Sequence, residues 1–437
     1  MTLRASLLRE LVNSNLDVGG RAELCCKLAR EFENKGEYEE AREMLSGLWP
    51  RVDQRPRVKG LEPDTAAEVL MRAGVLTGWL GSNQEQAKDF LSESLTIFES
   101  RKYKKKIAEA QTELALCYMR LSEYDNASDL LKLALSELTT DSELKAKAVL
   151  RLCIVKRHAS PLNEALAFLT TTEPLFHKIN NQTLKGCYHQ TLADVLENLW
   201  DTEDPEDYLD RALIEYAAAS HHFELAQHRY YLANVENNLG FLLYKVDQFE
   251  EAHEHLNRAR RIFTCLKDQI ALAAVDETRA RVFLKEKRDT EAEKAARSSV
   301  RTLEKSDRPS LLAEALKQHG MALARLGHYS SALNAFRRAI DLSQAADIAL
   351  TAFQELGDRL AIRDEITTSG RPLNEEIFLL EHSLIKHALE NAQGRVTFAA
   401  RTLGMSYQRL THKLQTKHKD LLKDRNPAKK RHKKHKI

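Results

Sequence analysis

Along most of the chain, apolar residues recur every three or four positions, and short polar stretches interrupt them. This is the pattern of amphipathic helices, with one face toward a core and the other toward water. A second, longer rhythm is laid over the first. Gly36-Glu-Tyr38-Glu-Glu-Ala41 is echoed by Ser122-Glu-Tyr124-Asp-Asn-Ala127, Asp247-Gln-Phe249-Glu-Glu-Ala252, Arg288-Asp-Thr-Glu-Ala292 and Gly327-His-Tyr329-Ser-Ser-Ala332. Weaker copies end at Ala87, Ala165 and Ala212. The eight closing alanines therefore fall at 41, 87, 127, 165, 212, 252, 292 and 332, and four of the seven gaps are 40 residues. Such a period marks a stacked repeat.

Small residues keep the same register. Ala29, Ala115, Gly240, Ala280 and Gly320 each stand twelve positions before an anchor alanine, and Ala134, Ala259 and Ala339 stand seven after one. Each unit is expected to be a hairpin of two antiparallel helices that approach closely at these residues. The aromatic fills the wedge beside the turn, and glycine relieves the end of the first helix. One hairpin cannot bury its apolar face alone, so the units must stack. Eight units are expected, with the third to fifth made irregular by Pro161, Pro174 and Pro205.

Composition supports an all-α reading. The 437 residues are 43% hydrophobic with only nine prolines, and no run approaches the 18 or so apolar residues of a membrane helix. The N-terminal segment breaks its apolar residues with charges and lacks the core of a signal peptide. The cysteines at 25, 26, 117, 153, 187 and 265 show no metal-ligand spacing and are expected to be small core residues in a reducing cytoplasm.

These repeats resemble the tetratricopeptide family over about residues 20 to 345, most closely at Asn237-Asn-Leu-Gly240 through Phe249-Glu-Glu-Ala252. The 40-residue period exceeds the usual one of about 34 and resembles the sensor regions of bacterial regulators in the same superfamily. The resemblance implies a superhelix whose concave face is lined by the first helix of each pair. Such a groove takes an extended peptide or a partner's helix. The implied contact residues are Asn234, Asn237, Asn238 and Tyr244, with Thr278 and Gln318 at the position equivalent to Asn238 in the next two units. The same side chains could equally bond within the array or to water.

The repeat pattern stops after Leu360, and Thr367-Thr-Ser-Gly370-Arg-Pro372 reads as a linker. Asn374 offers an N-cap for a helix ending near Asn391. Then comes Thr397-Phe-Ala399-Ala400-Arg-Thr-Leu403-Gly404-Met405-Ser406-Tyr407-Gln408-Arg409-Leu410-Thr-His412-Lys413-Leu414. The alanines let helices cross closely, the leucines supply a small core, Gly404 permits a tight turn and Ser406 caps the next helix. The expected domains are a repeat array at 1–365, a linker at 366–373, a helix-turn-helix domain at 374–422 and a basic tail at 423–437.

This segment resembles the Fis-type DNA-binding domain that also ends many sigma-54-dependent activators. The second helix is expected to expose Tyr407, Gln408, Arg409, His412 and Lys413 at its start and along one face. The resemblance implies contacts to duplex DNA from Ser406, Tyr407 and Arg409 at the start of this recognition helix. Lys413 and Lys417 continue that helix, Lys413 matching a basic phosphate contact. Arg395 and Thr397 match backbone contacts at the preceding helix. Many relatives carry arginine where Tyr407 stands, so base preference does not carry over, and Arg409 is the better candidate for a guanine edge. The resemblance also implies a homodimer through Phe378 to Leu389.

Net charge changes the picture only when it is divided. The whole chain carries +2, but from Arg395 onward fourteen Lys/Arg face two Asp/Glu, a net of +12 that leaves −10 on the rest. Polyanion binding is therefore expected at the C-terminal end, helped by the acid-free stretch from Arg425 to Ile437. No phosphate-binding loop, metal-ligand spacing or Ser/His/Asp arrangement appears, so neither enzyme activity nor a cofactor is expected. The expectation is a cytoplasmic transcription regulator with a helical-repeat sensor. The alternative is a protein-interaction scaffold with a non-specific nucleic-acid-binding end.

Overall fold

A computed structural model describes residues 16–80, 83–203, 206–306, 308–342, 373–392, 394–403 and 405–424, and every regular element among them is helical. Among the described residues, eight helix pairs precede the C-terminal module, one for each of the eight anchor alanines. They are α1 (Val18–Asn34) with α2 (Tyr38–Met44), α3 (Pro63–Leu80) with α4 (Gln84–Arg101), α5 (Lys104–Arg120) with α6 (Tyr124–Glu137), and α7 (Glu143–Ala159) with α8 (Leu162–Lys178). There follow α9 (Gln182–Glu203) with α10 (Glu206–Leu225), α11 (Arg229–Lys245) with α12 (Phe249–Leu266), α13 (Gln269–Lys285) with α14 (Asp289–Leu303), and α15 (Pro309–Arg325) with α16 (Tyr329–Leu342).

Each anchor alanine lies in the first turns of the second helix of its pair, and all eight are fully buried at 0% exposure. A larger side chain would hold the first helix away. The turn that leads there is equally regular. Five residues before the anchor the backbone turns left-handed, at Gly36 (φ 73°), Ser122 (62°), Asp247 (64°), Lys287 (63°) and Gly327 (82°). The following amide reaches back to the first helix, as Glu37 N–H does to Phe32 O at 3.0 Å and Arg288 N–H to Phe283 O at 2.8 Å. These bonds satisfy carbonyls that a helix end would otherwise leave open. Glycine fills the left-handed position at two of these turns; Ser122, Asp247 and Lys287 accept it without that help.

The irregular units have local causes. Pro161 stands just before α8, where its fixed φ suits a helix entry, and Pro174 lies inside α8 without ending it. Pro205 falls outside the described residues. In the first unit α2 is only seven residues long, and Trp49, fully buried, donates its indole N–H to Gln54 O at 2.8 Å in the connection to α3.

By compactness the chain forms two units, Met1–Leu242 and Leu243–Ile437, divided inside α11; residues 366–372 of the expected linker and the tail from residue 425 lie outside the described residues. In the second unit one apolar cluster includes Phe336 and Ile340 of the last hairpin together with Leu384, Leu389, Leu403, Leu410 and Leu414 of the C-terminal module. No described helix is long and apolar enough to cross a membrane. Cys26, Cys117 and Cys153 are buried as expected, whereas Cys265 is exposed; all six thiols are free.

Close approach has a measurable cost. A Cβ added at Gly320 in α15 would sit 2.7 Å from the ring of Phe336, itself only 1% exposed. Alanine favours a helix by about 1 kcal/mol over glycine, but overpacking of a filled core costs about 1–3 kcal/mol. Gly320→Ala is therefore expected to lower the melting temperature, while Gly47→Ala, which meets nothing within 4 Å, leaves it unchanged in the same thermal denaturation series.

Candidate functional site

The C-terminal module consists of α17 (Leu373–Asn391), α18 (Val396–Thr402), α19 (Tyr407–Thr416) and a short 3-10 turn (Lys419–Asp424). Gly394 closes α17 with φ 75° and an amide bond to Leu389 O at 2.7 Å. Gly404, expected to shape the next turn, lies outside the described residues. Ser406 caps α19, its hydroxyl accepting from Arg409 N–H at 3.2 Å. Leu410 and Leu414 point into the core, which turns Tyr407, Gln408, Arg409 and His412 outward, all exposed, with exposed Lys417 just beyond the helix. Arg395 and Thr397 are exposed at the start of α18, and the Arg395 guanidinium lies 5.6 Å from the centre of the Phe398 ring.

Lys413 does not join this exposed row. Its ammonium pairs with Glu381 of α17, and only 18% and 13% of the two side chains is exposed. The other Glu381 oxygen meets Nε2 of His418 at 3.1 Å, and the fully buried His418 ring stacks on Phe378 at 4.8 Å. Burial opposes charge on Glu381, but the hydrogen bonds from Lys413 and His418 prevail and hold its carboxyl below the usual range. Glu381 and His418 carried no sequence signal, because they are partners only once α17 crosses α19. Phe398, Met405 and Tyr407 share a shallow recess of about 360 Å³ with Arg401. Phe398 and Tyr407 are 54% and 44% exposed.

The first unit holds a larger feature, a half-open cavity of about 640 Å³ lined mainly by the first helices of its pairs. Its charged wall is a relay across α1, α3, α5 and α7. Arg72 pairs with Glu33 at 2.5 Å and Glu109 at 3.0 Å, and Arg30 reaches Glu68 and Glu109. Glu113 receives Lys147 at 2.5 Å and Arg151 at 2.8 Å. Three carboxylates share Arg72, and Glu33 comes off worst. Burial outweighs the attraction of Arg72 and pushes its carboxyl up to about 7, and one of its oxygens finds no hydrogen-bond partner.

Aromatic residues close the same cavity. Tyr38 stacks on Trp79 at 4.6 Å, Trp79 meets Tyr231 edge-on at 6.4 Å, and Tyr231 stacks on His228 at 4.1 Å. Gly36, in the first turn, lies directly against the His228 ring with no room for a Cβ. Burial lowers the His228 pKa to about 4, so the ring is neutral at pH 7.

The six groove residues proposed from sequence do not line this cavity. Asn234, Asn237 and Asn238 belong to the first unit, whereas Tyr244, Thr278 and Gln318 belong to the second. Asn234 bonds to Tyr230 O at 3.1 Å and Thr278 to Ala274 O at 3.2 Å, each within its own helix, and Gln318 is buried. Tyr244 lies under the Lys285 ammonium, 5.1 Å from the ring centre. Asn237 retains an unpartnered buried oxygen. Among the described residues, no group of three or more His, Cys, Asp or Glu is placed to hold a metal ion.

Comparison with known proteins assigns the two parts. The model of the family described as "Bacterial regulatory protein, Fis family" matches residues 379–416, and the tetratricopeptide-repeat model matches residues 22–46 and 313–345. No curated protein matches the chain. Among solved structures, a Rap protein complexed with competence and sporulation factor is 14% identical, with a TM-score of 0.54, over 82% of this chain and 92% of that one. The apo quorum sensor NprR from B. thuringiensis is 15% identical, with a TM-score of 0.52, over 77% and 91%. A signal-transduction ATPase with a tetratricopeptide-repeat sensor from Pyrococcus horikoshii is 14% identical, with a TM-score of 0.55, over 82% and 54%. At these identities the likeness is one of fold. The chain is thus an all-α protein of stacked tetratricopeptide-like repeats. Its C-terminal module is a helix-turn-helix of the Fis type.

Two expectations follow. Glu33 binds its proton more tightly in the folded chain than at its ordinary value of 4.5, so stability contributed by this group is lost as pH rises from about 4.5 through 7. Glu33→Gln should flatten that decline in melting temperature across the window; an unchanged slope would show that other groups set it. Lys413→Ala should destabilise the C-terminal module by about 1–3 kcal/mol, because it strands the largely buried Glu381. Faster hydrogen exchange of the α19 amides would report it.

Proposed function

We propose that the chain is a transcription regulator in which the Fis-type module holds duplex DNA and the repeat array senses a peptide or partner protein. The observation that carries this reading is the exposed row Tyr407, Gln408, Arg409 and His412 on a capped helix whose opposite face is packed. A recognition helix reads base edges with its N-terminal residues, and the arginine fork fits guanine O6 and N7. Arg395, Thr397 and Lys417 stand beside that row as phosphate contacts, with Ser406 held at the helix cap. Lys413 serves the same surface indirectly, by fixing α19 on α17. Two recognition helices would face successive major grooves if the module pairs through α17, where Phe378 and Leu379 are 37% and 42% exposed.

The sensor half of the proposal draws on the Rap structure, which is described as complexed with competence and sporulation factor. In this chain the matching feature is the interior cavity of the first unit. A second reading, an interaction scaffold whose basic end binds nucleic acid non-specifically, is favoured by one observation: the apolar recess of Phe398, Met405 and Tyr407 beside the proposed DNA contacts.

Selection of bound sites from a random duplex pool, followed by footprinting, separates the two. A protected site bound far more tightly than random duplex supports the regulator; a specific-to-random ratio near one supports the scaffold. On a selected site, Arg409→Ala is expected to cost about 1–3 kcal/mol and to relax specificity at one position, whereas Lys417→Ala weakens all sequences alike and reduces the salt dependence. Equal losses on every sequence for both variants would contradict this division of roles.

A further inference from the structure

Arg120 stands apart from the other arginines and from Lys147 around the cavity, and Lys105, the remaining basic residue of the lining, is exposed. Arg72, Arg30, Lys147 and Arg151 each have a carboxylate partner within 3.0 Å. Arg120, at the end of α5, has no carboxylate within ion-pair distance among the described residues. Its guanidinium donates one bond to Gly78 O and lies over the Trp79 ring, 4.3 Å from the centre. Burial pulls its pKa below the usual arginine value. A carbonyl and an aromatic face offset part of the cost of keeping a cation from water; an anion would offset more.

The rest of the wall points the same way. The lining holds six Lys or Arg side chains against four glutamates, and Glu33 is among those four. Two buried atoms of the wall, Glu33 Oε1 and Arg72 Nε, make no hydrogen bond, although Nε lies 3.5 Å from a Glu68 oxygen. Apolar side chains, including Val75, Leu116, Met119 and Ile154, share the lining with polar ones such as Asn34, Asn181 and Thr183. The volume, about 640 Å³, falls inside the range of about 300–1,000 Å³ typical of small-ligand pockets.

We propose that this cavity is a ligand site in which Arg120 receives a carboxylate of the bound molecule, while Trp79 and the apolar wall take its hydrocarbon part. The inference rests on the sensor reading and names the chemistry of its ligand. A guanidinium has five N–H donors in a planar fork, so donors remain for a carboxylate after the bond to Gly78 O. The carboxylate is either the free C-terminus of a short peptide or that of a small organic acid. The two share one recognition group and differ in what fills the apolar wall.

The test uses the full chain and three probes: random pentapeptides lacking Asp and Glu with free C-termini, the same pool amidated, and 3-phenylpropionate. Thermal shift and tryptophan fluorescence are read for wild type, Arg120→Gln and Arg120→Lys. The free-acid pool is expected to raise the melting temperature by several degrees and the amidated pool to leave it unchanged. Arg120→Gln should weaken binding at least tenfold, and Arg120→Lys, which keeps the charge and loses the fork, about fivefold. A response to 3-phenylpropionate alone, lost in both variants, also supports the site and assigns the small acid as its source. Response to no probe, equal response to the amidated pool, or undiminished binding by the variants overturns it. If Arg120→Gln does not fold, the lysine variant and the amidated pool still decide. Footprinting of the same preparations keeps the two proposals separate. Carboxylate binding without DNA protection would leave this site and remove the regulator, and the reverse would remove this site alone.

Discussion

Everything in the repeat region depends on how closely two helices can lie. The constraint acts at one residue per hairpin, the alanine that is fully buried near the start of each second helix. Because that side chain stops at Cβ, the first helix can pack against backbone, and the aromatic that precedes the anchor finds its wedge. The left-handed turn five residues earlier follows from the same geometry, since the chain must reverse within three residues. The cavity is a consequence as well. Helices held at that spacing present their remaining faces inward, and in the first unit those faces carry the relay of arginine and glutamate side chains.

Much of this was legible because it is periodic. A small residue at fixed spacing in unit after unit has one economical explanation, and the count of eight hairpins follows from it. The C-terminal motif was legible for a different reason: cap, turn and core residues crowd into some twenty positions, so local rules nearly determine the fold. The left-handed turns at Ser122, Asp247 and Lys287 were not marked by composition, because the tertiary pairing of the helices imposes them.

The candidate binding residues were harder to read. Asn238, Thr278 and Gln318 stand fourteen residues before their anchors, and so do Glu113 and Arg151. The register chosen from sequence therefore coincides with a cavity-lining position, but in different units. Amide side chains drew attention as hydrogen-bonding groups, whereas charged ones on helices read as solvated faces. Only the packing shows that Glu113 and Arg151 turn toward each other out of water. The same blindness hid Glu381 and His418, whose meaning arises from a crossing of helices distant in sequence. It also made Lys413 look like a free phosphate contact when it is spent within the module.

The contact of Gly36 with His228 alters how the first unit can come apart. An open stack of repeats behaves as a one-dimensional chain, and its end units fray first with little effect on the rest. Here the first turn is fastened to a residue about 190 positions away, so the terminal hairpin is no longer an end in the energetic sense. Its loss would uncover Trp79 and Tyr231 together and release a loop closure that had to be established across most of the unit. Such a unit should melt as one cooperative block and form slowly, because its last contact joins the two most distant pieces of the sequence.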